Sequence, residues 1–168
     1  MLTQAFRFLS LVFSALILGS AFCHVLEMPV KMAMAGADYM IIQQIYAGFG
    51  PIGAVLEPAA IMSAAALAFL RRGRFSFIPA LTGAIALAVA LLVWVAVVSP
   101  VNPQWAAAGP DTVPPNFESL RARWEWGHAI HAGLLLVAFV SLVVSVLLDV
   151  SARAVAEDAD RAVDEQAA

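Results

Sequence analysis

Four long apolar stretches, separated by short polar ones, set the pattern of this chain. They lie at about 6–27, 47–70, 77–98 and 126–148, and each is long enough to cross a bilayer as a helix. Arg7 ahead of the first makes it resemble a signal peptide, but the apolar run is long for one. No A-x-A cleavage site follows, so it is expected to remain as a span. The second is expected to be entered by a helix beginning near Asp38 and kinked at Pro51 and Pro58, as neighbouring helices in a membrane allow. The third stops at Ser99-Pro100. The fourth starts near Pro115, is amphipathic through Trp126 and then apolar to Asp149. The pattern predicts an all-α integral membrane four-helix bundle over residues 1–150.

Residues 151–168 carry Glu157, Asp158, Asp160, Asp164 and Glu165 and no apolar stripe. They are expected to extend the fourth helix as an acidic cytoplasmic tail that frays. Arg71, Arg72 and Arg74 crowd the short loop between spans two and three, and Arg153 follows span four. By the positive-inside rule, that loop and both termini face the cytoplasm across the inner membrane. Lys31, Arg121 and Arg123 count against this orientation.

Composition agrees with the pattern. The chain is 62% hydrophobic and 12% charged, with a mean hydropathy of +0.89, against about 45–50% and about 25% in soluble domains. The bilayer is therefore the first partner. No basic patch points to nucleic acid. Cys23 is the single cysteine, which excludes an internal disulfide and Cys-rich metal motifs. A homo-oligomer or a larger membrane complex is compatible with this composition, and nothing in the sequence selects either.

The informative positions are ionisable groups inside the apolar runs, because a charge at bilayer depth is costly and usually has a partner and a task. His24 and Glu27 lie at the end of span one, Glu57 in span two, and Glu125, His128 and His131 at the start of span four. Spacings of three and six keep each set near one side of its helix. With spans one and four antiparallel, all six fall in the outer half of the bundle, Glu57 roughly 10 Å below the edge at 1.5 Å per residue. Glu125-x-x-His128, and His24-x-x-Glu27 in reverse, have the spacing used by carboxylate-bridged di-metal bundles. One reading is therefore a transition metal (iron, copper or zinc) on His24, Glu27, Glu125, His128 and His131, with Glu57 as a further ligand or proton acceptor. A second is haem with His24 and His128 as facing axial ligands. A third is no cofactor, with a histidine–glutamate pair acting as base. The bland alternative is a polar network worth about 0.6–2 kcal/mol per interhelical hydrogen bond.

Other residues have ordinary explanations. Trp105, Trp124 and Trp126 read most simply as interfacial anchors, with walls of a substrate pocket as the sharper alternative. Gln43, Gln44 and Tyr46 lie at the mouth of span two, where they meet headgroups or hydrogen-bond a ligand. Lys31 is expected to be solvated, with offsetting a nearby carboxylate or fixing an anionic ligand as the alternatives, and Arg121 and Arg123 to meet phosphate headgroups, with oxyanion binding as the sharper alternative. Cys23 and the methionines of 28–40 are assigned to packing.

Four blocks carry a family resemblance: His24-Val-Leu-Glu-Met-Pro-Val-Lys31, Tyr39-Met-Ile-Ile-Gln-Gln-Ile-Tyr46-Ala-Gly, Pro100-Val-Asn102, and Arg121-Ala-Arg-Trp-Glu-Trp-Gly-His128-Ala-Ile. In this order they resemble the anthrone-oxygenase-like family of small four-span bacterial membrane proteins. The resemblance implies an integral membrane bundle and, for the namesake members, oxygenation of a phenolic anthrone to a quinone without an obvious cofactor. It adds Asn102 and Trp124 to Gln43, Tyr46, His24 and His128 as candidate binding residues. Where the family pattern has arginine, this chain has His131, which either adds a ligand or alters the charge of the same pocket.

The sequence thus leads to a membrane oxidoreductase, an oxygenase of an apolar aromatic or quinol-like substrate, with catalytic candidates His24, Glu27, Glu57, Glu125 and His128. A haem- or quinone-binding protein and a non-catalytic accessory or transport subunit are the rival expectations.

Overall fold

The computed structural model describes residues 1–167, and side chains other than those of 47, 153–160 and 162–167. The acidic side chains expected to mark the tail fall in those unassigned positions. Six α-helices follow in order: α1 (Leu2–Ala33), α2 (Gly36–Gln43), α3 (Phe49–Leu70), α4 (Phe77–Val93), α5 (Asn102–Ala108) and α6 (Phe117–Ala167). A 3-10 turn, Gln44–Gly48, joins α2 to α3, and a π-helical turn, Trp94–Val98, prolongs α4. Four helical stretches are long and apolar enough to cross a membrane: Leu2–Ala33, Phe49–Leu70, Phe77–Ala108 and Phe117–Ala152. The protein is an all-α membrane bundle.

The first span is longer than its apolar run indicated, because helix continues past Glu27 through Pro29 to Ala33. Pro51 sits in the first turn of α3, where a missing N–H costs little, and Pro58 lies inside that helix. The four long helices close a ring in which α1 contacts α6 and α3, and α4 contacts the same two. Small residues line the seams. Ala60, Ala64 and Ala68 on α3 meet Ala80, Ala84 and Ala90 of α4 and Ala132 and Ala138 of α6 in one core, which is how helices approach closely in lipid. A Cβ on Gly83 would come within 2.8 Å of Leu142, and one on Gly127 within 2.7 Å of Val98, so these two glycines are set by packing.

The buried face of α1 runs Arg7, Ser10, Ser14, Ile17, Ala21, His24 and Lys31, a repeat of three and four that keeps one stripe against the bundle. Both its ends are charged. Arg7 pairs with Asp149 of α6, and Lys31 Nζ lies 2.8 Å from Glu125 Oε1 of α6. Arg71 also pairs with Asp149, and Ser76 Oγ donates to it at 2.8 Å. The first arginine of the loop cluster is therefore half inside the bundle rather than simply in solvent.

At the end where Asp149 lies, α1, the α3–α4 loop and α6 are held by one carboxylate that is 5% exposed. Asp149→Asn leaves two arginines there without a counter-charge. Its expected cost is about 3 kcal/mol, measurable as a lower midpoint in detergent-titration unfolding; an unchanged midpoint contradicts the clasp.

Candidate functional site

Antiparallel packing of α1 on α6 brings His24 against His128, with ring centroids 4.2 Å apart. Trp124 lies one turn before His128 and packs on both, at 5.0 Å from His24 and 4.0 Å from His128. His128 Nδ1 donates to the Trp124 carbonyl at 3.0 Å; since a carbonyl only accepts, this tautomer leaves Nε2 as the lone-pair nitrogen. One turn deeper on α6, His131 Nε2 is 3.0 Å from Glu57 Oε1 of α3. A carboxylate there accepts a hydrogen bond from Nε2–H, which leaves Nδ1 as the lone-pair nitrogen.

These groups line a cavity of about 570 Å³, within the range of small-molecule sites. His24, His128, His131 and Glu57 are all in its wall, with Gln43, Tyr46, Asn102, Trp105 and Trp124 toward one end. Asn102 Oδ1 accepts from the Trp124 indole at 3.0 Å and fixes that ring. Four buried polar atoms of wall residues have no partner among the described residues: His24 Nδ1, His131 Nδ1, Gln43 Oε1 and Trp105 Nε1. Buried polar groups are normally satisfied, and these four are left over on residues that line the cavity.

The two remaining glutamates stand behind the wall. Glu125 is 1% exposed; it accepts from Tyr39 Oη at 2.9 Å and pairs with Lys31. Glu27 accepts from Tyr46 Oη. Burial first, and the Glu27 carboxylate next, push the Tyr46 phenol above its ordinary value, so it remains a donor. The Lys31 ammonium sits 4.3 Å from the Trp124 ring centre and 4.5 Å from that of Tyr46, a cation–π support for two wall rings.

Several expectations are corrected. Lys31 is buried, not solvated, because Glu125 and three aromatic faces replace its water. Arg121 is buried too, donating to the Met34 carbonyl at 2.8 Å and pairing with Glu118. Arg123 binds the carbonyls of Val97 and Ala96, both at 2.9 Å, in the π-helical turn. Trp105 and Trp124 are wall residues, while Trp126 is exposed, as an anchor would be. The five-residue metal set is not gathered. Among the described residues no three His, Cys, Asp or Glu side chains group as metal ligands, because Glu27 and Glu125 are turned to Tyr46 and Lys31. Haem between His24 and His128 does not fit either. The two rings are in direct contact at a centroid distance of 4.2 Å, with no gap between them for a porphyrin.

The pairings of Tyr39 and Arg121 escaped the sequence reading, and that of Lys31 with a carboxylate was its lesser alternative, although one signal was present. Lys31 falls seven residues after His24, on the same stripe that begins at Arg7. Comparison with protein-family models, curated proteins and solved structures gives no match for this chain.

If Lys31 and Glu125 form a buried pair, removing one is worse than removing both. Lys31→Met is expected to cost about 3–5 kcal/mol, and adding Glu125→Gln to restore much of it. A double-mutant cycle of unfolding midpoints in detergent tests this, and simple additivity refutes the pairing.

Proposed function

We propose that the protein is a membrane oxygenase that oxidises an apolar phenolic substrate of the anthrone or quinol type, with the base supplied by side chains and no bound metal or haem in the proton step. The observation that carries this reading is the His131–Glu57 pair opening on an aromatic-walled cavity with unpaired polar atoms. The family resemblance of the four sequence blocks points the same way.

On this reading, for a substrate of the anthrone type, His131 Nδ1 removes a proton from the activated CH₂, and Glu57 stabilises the imidazolium formed. The delocalised carbanion passes one electron to dioxygen, and the resulting radical pair closes a carbon–oxygen bond. Proton return gives a hydroperoxide. Loss of water across its C–H and O–O bonds leaves the carbonyl, so CH₂ and O₂ become C=O and H₂O. Gln43 and Asn102 are suited to hold phenolic or carbonyl oxygens, Trp105 and Trp124 to pack on the rings, and the N–H of His24 to donate to the developing oxyanion.

We place the protein in the bacterial inner membrane with both termini cytoplasmic. In support, Lys31 and Arg121, which counted against that orientation, are engaged in ion pairs, while Arg72 and Arg74 remain at the opposite end.

Purified protein in lipid nanodiscs is expected to consume oxygen and form quinone from a hydroxyanthrone. His131→Gln and Glu57→Gln are each expected to lower the rate by about 10²–10⁴-fold without altering the unfolding midpoint comparably. No oxygen uptake across a panel of hydroxyanthrones by folded protein, or full activity in both variants, overturns the reading.

A further inference from the structure

The cavity wall is not uniform. Polar atoms without a partner lie on its His24, His131, Gln43 and Trp105, and among the exposed wall residues three are large and apolar. These are Leu16 of α1 at 53%, Phe49 of α3 at 41% and Ile52 of α3 at 60%. A side chain that touches both the cavity and the outer surface marks a rim. All three are apolar and lie on helices that cross the bilayer, so this rim faces lipid rather than water.

Glycines keep the gap open. Gly50 and Gly53 both line the cavity on α3. A Cβ on Gly50 would meet nothing within 4 Å, and one on Gly53 only Ile17 Cδ1 at 3.8 Å. Packing therefore requires neither glycine, unlike Gly83 and Gly127, although each costs its helix about 1 kcal/mol relative to alanine. The space they leave lies between α1 and α3. Elsewhere the wall is exposed at Gln44 and Ala54, and at Asn102 and Ala106 of α5, with Gln44 and Asn102 its polar positions.

We infer that the cavity is loaded sideways from the membrane, through a portal between α1 and α3 rimmed by Leu16, Phe49, Gly50, Ile52 and Gly53, and that its ligand is a membrane-dissolved quinol or phenol whose apolar extension stays in the lipid while its polar ring reaches the histidines. The nature of the ring rests on the proposed function; the route does not. An apolar body suits the rim, and ring oxygens suit the unpaired donors and acceptors within. A ligand entering from water would instead have to pass its apolar part through the Asn102–Ala106 side.

Two probes separate these routes: a dimethoxybenzoquinone bearing a decyl chain, and the same ring without the chain. Quinones quench indole fluorescence, and Trp94, Trp105 and Trp124 line the cavity. Exposed Trp126 is first changed to phenylalanine to remove lipid-side background. In nanodiscs, quenching by the tailed probe is expected to saturate and to follow its mole fraction in lipid rather than its bulk concentration. Gly53→Phe is expected to weaken that binding at least about tenfold and to weaken binding of the tailless ring several-fold less. Gly50→Phe, whose side chain enters open space, repeats the test should Gly53→Phe unfold. Equal binding of the tailed probe by parent and both plugged variants overturns the portal, as does quenching that tracks bulk concentration. Binding needs no turnover. A His131→Gln protein that still takes the tailed probe therefore keeps the portal even if no oxygen is consumed, and an active protein with unplugged binding in both variants loses only the portal.

Discussion

Two ion pairs between α1 and α6 set the rest of the structure. Arg7 meets Asp149 and Lys31 meets Glu125, so the two cations on α1 and the two acids on α6 are each 24 residues apart. In antiparallel helices rising 1.5 Å per residue, equal spacing is the condition for both pairs to close at once, about 36 Å apart. A slip of one turn would leave up to four charges unpaired in or near hydrocarbon, where each costs at least a few kcal/mol. Register here is an electrostatic matter, because apolar side chains in lipid discriminate poorly between neighbouring alignments.

The site inherits that register. His24, seven residues before Lys31, comes to rest against His128, three residues after Glu125. The same ion pair that aligns the helices also stiffens the wall, since the Lys31 ammonium packs on Trp124 and Tyr46 while Glu125 holds Tyr39. Charge is thus kept out of the cavity. What remains inside is imidazole, amide, indole and the Tyr46 phenol, together with the single carboxylate of Glu57 beside His131. Such a lining suits a polarised but uncharged ring, and the lipid-facing gap between α1 and α3 suits its arrival from the bilayer.

Much of this was visible in the chain. Hydropathy alone located the four spans, because twenty apolar residues have few other uses. The matched depth of His24, Glu57, His128 and His131 was legible from helix rise, and these four do share one cavity. The same argument overreached for Glu27 and Glu125. Depth and helix face say that a carboxylate is near a site, but not whether it points at the ligand or at a lysine behind the wall. Lys31 and Arg121 were misjudged for the related reason that a cation near a span end reads as solvated until its partner on another helix is known.

What the sequence determined by itself is the class of protein and the stock of groups available: four membrane helices, three imidazoles and their acids at one depth, and opposite charges at equal intervals on the first and last spans. Tertiary structure alone decided which acid answers which cation, which imidazoles touch, and that the cavity opens between α1 and α3. Hydrophobicity and helix period are properties of a single segment and can be read along it. Pairing and gaps are properties of two faces brought together, and lipid-facing apolar positions carry no mark of which neighbour they will meet.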